Sequence, residues 1–171
     1  MIDDSLLLDH RALALEKVSS GKYLSKIITL HGIYLSETCP IELLNRACLR
    51  YHSTKKGRKE AVRTLMDFGK KPPFLISDEV GVFPTKASKH PDCVWIFGHF
   101  FATEMVDKKN TKLTFKNGMT INVKESLYTI KKQKLRLHTL LSHVQQSKRQ
   151  YISEQPMFVV NDPNSKYNAA N

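Results

Sequence analysis

A chain of 171 residues with 41% hydrophobic and 25% charged residues can form one domain with a modest core, and it is too apolar to be disordered throughout. Its formal net charge of +11, with a pI near 9.6, attracts phosphate polymers or anionic membrane surfaces. No apolar run reaches the roughly 18 residues of a transmembrane helix, the start Met1-Ile2-Asp3-Asp4 is unlike a secretory signal, and three cysteines argue against a disulfide framework, so the chain reads as cytoplasmic.

The first run, Ala12-Leu13-Ala14-Leu15 into Val18, alternates and suits a strand as well as a short helix. Ser19-Ser20-Gly21 signals a turn. Lys22 to Leu35, rich in Ile, Leu, Thr and Tyr, reads as a strand or hairpin that pairs back on the first run, with Gly32 as a bulge or turn. A helix near 40–51 follows: Thr38 caps it, Pro40 fits its first turn and Glu42 faces the positive end of its dipole. Leu43, Leu44, Ala47 and Cys48 form its apolar face, which makes Cys48 a core thiol.

His52 to Lys59 reads as a basic loop centred on Gly57. Ala61, Val62, Leu65 and Met66 then support a short helix near 58–68, broken at Gly69, although Val62 and Thr64 also suit a strand. Lys71-Pro72-Pro73 is expected to be extended, since each proline disfavours α backbone in the residue before it. Phe74 to Ser77 and Val80 to Pro84 read as short strands around Asp78-Glu79, followed by a loop over Ser88–Asp92.

Val94 to Val106, the most apolar run, is expected as one central, twice-covered strand bent at Gly98. Asn117-Gly118 between Lys112–Phe115 and Met119–Val123 is a hairpin signal, with a type I′ turn expected. Ser126 caps a long helix near 126–150, in which Leu127, Ile130, Leu137, Leu140, Leu141 and Val144 recur at helical spacing. The fold class is therefore α+β, a mostly antiparallel sheet with a short helix near 40–51, another near 58–68 and a long C-terminal helix. Residues 1–151 form a single domain in this reading, and 152–171 a mobile tail.

Charge collects in two blocks. Residues 46–71 hold nine Lys/Arg against Glu60 and Asp67, and residues 131–149 hold six basic residues and no acid, so the rest of the chain is net −2. Lys55, Lys56, Arg58, Lys59 and Arg63, extended by Lys70 and Lys71, are the candidate contacts to phosphates or to a narrow A·T-rich minor groove. The bland alternative is a solvated face. For residues 131–149 both readings stay open, a second duplex contact or the wet side of a helix.

Other chemistries find less support. Cys48, His52, His90, Cys93 and His99 lack the paired spacing of a zinc site. A hydrolase using Cys93 or His90 has no local support, and Lys56-Gly57-Arg58-Lys59 lacks the glycines of a phosphate loop. Neither a metal nor a cofactor is expected. A less specific binder of RNA or single strands is the main rival, although no RNP-like aromatic segment is present.

The ordered set Arg46-Ala47-Cys48, Gly57-Arg58-Lys59, Lys71-Pro72-Pro73, Phe83-Pro84-Thr85, Cys93-Val94-Trp95-Ile96 and Phe115-Lys116-Asn117-Gly118 resembles the ComK family of competence transcription factors. The resemblance implies a non-enzymatic, sequence-specific activator of DNA-uptake genes. It would bind paired A·T-rich boxes of double-stranded DNA through the minor groove, as dimers assembling into a tetramer, and reach RNA polymerase indirectly at the nucleoid. It further implies delivery to a Clp protease by an adaptor. The island containing Met157, Phe158, Val159 and Val160 loosely resembles the family's adaptor-binding segment.

Overall fold

The alternating N-terminal runs build one half of a sheet. The computed structural model describes residues 3–153, beginning with a 3-10 turn at Asp4–Leu7. It is followed by β1 (Ala12–Ser20), β2 (Tyr23–Thr29) and β3 (Gly32–Ser36), an antiparallel meander. β1 pairs with β2 as the sequence predicts, but the turn is Gly21-Lys22, with Ser19 and Ser20 still in β1, and Gly32 opens the second hairpin.

The other half comes from β4 (Phe74–Leu75), β5 (Gly81–Pro84) and β6 (Val94–Phe97), giving the order β3-β2-β1-β6-β5-β4 with every neighbour antiparallel. β6 is central: Trp95 lies opposite Leu15 on one side and Pro84 on the other. β7 (Phe101–Asp107), β8 (Asn110–Phe115) and β9 (Thr120–Val123) make a second, three-stranded antiparallel sheet. The helices are α1 (Pro40–Leu49), α2 (Lys55–Met66) and α3 (Leu127–Ser153). α3 packs on β4 and β5 of one sheet and on β7 and β8 of the other through Ile130, Leu137 and Leu140. The α+β class with a long C-terminal helix is what the sequence predicts.

Several local expectations are corrected. α1 is capped at Cys39, not Thr38, because Thr38 is tied to the sheet: its N–H donates to Ser36 Oγ and its carbonyl accepts from Ser25 Oγ. α2 begins at Lys55, three residues before Arg58. Thr54 Oγ1 accepts from Gly57 N–H at 2.9 Å, and Asn45 Oδ1 of α1 accepts from Lys55 N–H at 3.1 Å. Gly57 thus lies inside the first helical turn, and α2 ends at Asp67 (φ 51°) before Gly69.

The apolar run 94–106 is not one strand. Gly98 N–H donates to the Gly81 carbonyl and His99 N–H to that of Phe97, which turns the chain out of the first sheet. Within this run only β6 is covered on both faces, while Met105 and Val106 on the edge strand β7 are exposed. The Asn117-Gly118 hairpin is present, but only Gly118 has positive φ (85°). Gly118 N–H donates to the Phe115 carbonyl and Phe115 N–H to that of Met119, so Lys116–Gly118 form a three-residue turn and not a type I′ turn. Lys71 is left-handed (φ 52°), not extended. Ser126 caps α3 as expected, its Oγ accepting from Thr129 N–H. The adaptor-like residues Met157, Phe158, Val159 and Val160 lie outside the described residues.

Candidate nucleic-acid interface

Three adjoining concavities run across the face where α2 meets α1, the Pro84–Ser88 segment and α3. The first, about 370 Å³, lies between Lys59 and Arg63 of α2, Lys70-Lys71-Pro72 and Pro84–Ser88. The second, about 520 Å³, extends it toward α1 past Lys55, Lys56 and Lys89. The third, about 620 Å³, extends it the other way, past Asp67-Phe68 to Lys132 and Arg136 of α3. The first and second share Lys59, Arg63 and Ser88, and the first and third share Lys70 and Lys71, so the track is continuous. Ten basic residues line it against three acids, Glu42, Glu60 and Asp67.

Some basic side chains elsewhere face a carboxylate, as in Lys22–Glu37, Lys26–Glu16, Lys124–Asp92 and Lys148–Asp78. On the track, the side chains of Lys59, Arg63, Lys70, Lys89 and Lys132 have no ion pair among the described residues. Burial and the neighbouring Arg63 charge hold the proton affinity of Lys59 below that of an ordinary lysine. Such a cluster is stabilised by an anion from outside.

Lys55 is 9% exposed and its ammonium faces the rings of Trp95 and Phe74. It contributes to the field beneath the second concavity more than to its exposed surface. Arg58 leaves the set altogether. Its guanidinium turns back to donate to the Tyr51 carbonyl at 3.0 Å, on the side shared with Asp78, Glu79 and Lys148. The structure therefore gathers Lys55, Lys56, Lys59, Arg63, Lys70 and Lys71 and sets Arg58 apart.

Four basic residues outside the predicted set join them: Lys86, Lys89, Lys132 and Arg136. The last two bring one flank of α3, from the 131–149 block, onto the track. Arg136 donates to the Lys70 carbonyl and lies 4.5 Å from the centre of the Phe68 ring. Lys134 points to the other flank, donating to the Phe101 carbonyl.

The joint beneath the track is Gln133, a buried amide on the apolar side of α3. Its Nε2 donates to the carbonyls of Lys71 at 2.8 Å and Pro84 at 2.9 Å, and its Oε1 accepts from Arg136. These bonds hold Lys71 in its left-handed backbone, a conformation that a non-glycine residue adopts only where its surroundings impose it. Lys71 and Lys86 share the carboxylate of Glu125 at 4.0 and 3.4 Å. A polar residue in phase with Ile130 and Leu137 is the sequence signal that marks Gln133.

Among the described residues no three His, Cys, Asp or Glu side chains gather to hold a metal ion. Cys48 is a buried core thiol, as predicted, and burial pushes its pKa up to about 11. The thiol of Cys93 faces the Lys86 carbonyl, while His90 Nδ1 accepts from Asp92 N–H, so the two do not form a dyad. No described helix is long and apolar enough to cross a membrane.

The chain matches the family model described as ComK protein over residues 4–150. It is also similar to the competence transcription factor of Bacillus subtilis (strain 168), with 32% identity over 119 residues, which cover 66% of this chain and 60% of that protein. The similarity thus spans less than two thirds of the relative's length. No solved structure matches the chain.

Proposed function

The chain belongs to the ComK family, and from that premise we propose that it is a sequence-specific DNA-binding activator of competence genes. The observation that carries this reading is the continuous track from α1 to α3, lined by ten basic residues of which Lys59, Arg63, Lys70, Lys89 and Lys132 have no ion pair among the described residues. Cations left unpaired by the fold neutralise backbone phosphates and release their counterions. In this reading Arg63, shared by two of the concavities, enters a narrow A·T-rich minor groove.

The protein acts by binding and not by catalysis, as a dimer or tetramer on paired A·T boxes, and reaches RNA polymerase indirectly at the nucleoid. Met157, Phe158, Val159 and Val160 serve as the docking segment for a Clp-protease adaptor in this reading. The test is fluorescence anisotropy at two salt concentrations, with two A·T boxes in helical phase and with the same boxes moved half a turn. Affinity is expected to fall with salt and with loss of phase. Equal binding in both phases, with ready displacement of the duplex by single-stranded RNA, would instead support an unspecific polyanion binder.

A further inference from the structure

The first concavity has a feature that a duplex backbone does not require. Phosphates on a DNA surface need cations, yet this hollow is floored by the buried Pro72, Pro84 and Trp95. Its volume of about 370 Å³ falls within the ~300–1,000 Å³ of small-molecule sites. Apolar walls with a few convergent charges suit a ligand that is flat at one end and anionic at the other.

The charges divide accordingly. Glu125 satisfies Lys71 and Lys86 on one side. Lys59, Arg63 and Lys70 remain on the other, without a carboxylate among the described residues. We propose that this hollow is a nucleotide-binding pocket, in which a diphosphate meets Lys59, Arg63 and Lys70 while the base lies against Pro72, Pro84 and Trp95. The three cations belong to the DNA track, so a bound nucleotide excludes the duplex; this regulatory consequence, unlike the pocket itself, rests on the DNA-binding reading. The phosphates are held by side chains, so affinity weakens with added salt.

The test is calorimetric titration of the full chain with GDP and with pyrophosphate at one ionic strength, beside displacement of a labelled A·T duplex. GDP is expected to bind at least about tenfold more tightly than pyrophosphate, because only GDP reaches the apolar floor. Ala87→Phe, which fills the exposed side of the pocket without changing charge, is expected to abolish that preference. Equal affinities for the two ligands in the unmodified chain overturn the pocket, as does a preference that survives in a folded Ala87→Phe variant. GDP bound by a chain that ignores duplex DNA defeats the DNA reading and leaves the pocket standing. Duplex bound by a chain that ignores GDP does the reverse.

Discussion

The ammonium of Lys55 lies 5.0 Å from the centre of the Trp95 ring and 5.7 Å from that of Phe74, in the first turn of α2 and nearly out of water. Burial and then the Lys59 charge lower its pKa to about 8, while the neighbouring Cys48 and Cys93 act weakly the other way. The rings stabilise the cation, and the positive end of the helix dipole opposes it.

This arrangement makes stability depend on pH. The unfolded lysine stays protonated to a pH of about 10.4. Between pH 8 and 9 the unfolded lysine therefore binds more proton than the folded one, and Lys55 contributes a rise of stability with pH there. The thiols of Cys48, raised to about 11, and Cys93, also raised by burial, oppose this within the same window, since the folded state keeps protons that the unfolded thiols lose from about pH 8.5 upward. Guanidinium denaturation at pH 8.0 and 9.0 measures the effect. Lys55→Met should lower the stability at pH 9.0 relative to that at pH 8.0, compared with the parent, and an unchanged difference in that variant would remove Lys55 from the effect.

Arg63 and Arg58 lie five residues apart on α2 and are expected to behave oppositely. Arg63→Ala should weaken duplex binding and reduce the salt slope by about one unit. Arg58→Ala should leave the slope alone and cost about 1 kcal/mol of stability, through loss of its bond to the Tyr51 carbonyl. Anisotropy across a salt series separates the two, and a reduced slope for Arg58→Ala would return Arg58 to the interface.

Gln133→Leu keeps much of the side-chain volume but leaves the Lys71 and Pro84 carbonyls without their buried donor. A loss of about 1–3 kcal/mol is expected, read by thermal or chemical melting. Duplex affinity should fall as well, because Lys70, Lys71 and Arg136 are oriented through this amide. A variant as stable as the parent would show that α3 does not depend on it.

Gly81→Ala probes the seat of α3. A Cβ there would stand 2.5 Å from Leu137 Cδ1 and 3.1 Å from Leu75 Cδ2. Leu137 is buried and has little room to yield, so a loss of about 1–3 kcal/mol is expected from the denaturation midpoint. An unmoved midpoint would mean that Leu137 repacks freely.

The strands and apolar helix faces were legible because burial stamps a period on the sequence. Ala12–Leu15 alternation suited β1, strand-favouring composition marked β2, and the spacing of Ile130, Leu137 and Leu140 marked α3. The site was legible only in part. Basic residues count toward charge wherever they point, and direction depends on where a helix begins. Asn45, ten residues upstream, caps the backbone of Lys55, and that long-range bond starts α2 early and leaves Arg58 facing the Tyr51 turn. Lys86, Lys89, Lys132 and Arg136 join the track through tertiary packing, for which local spacing holds no signal. The fate of the 94–106 run was likewise set by a distant partner, the Gly81 carbonyl that receives Gly98 N–H.

Gln133 has a consequence for how such proteins can be recombined. One amide ties α3 to the 70–71 turn and to the end of β5, so two basic blocks about sixty residues apart behave as a single inherited unit. A chimaera that exchanges α3 alone between relatives should fold poorly or bind weakly, whereas one that also exchanges the 67–73 and 84–89 segments should recover. Crossover points along the chain would then mark the limits of the interface more sharply than any count of its charges.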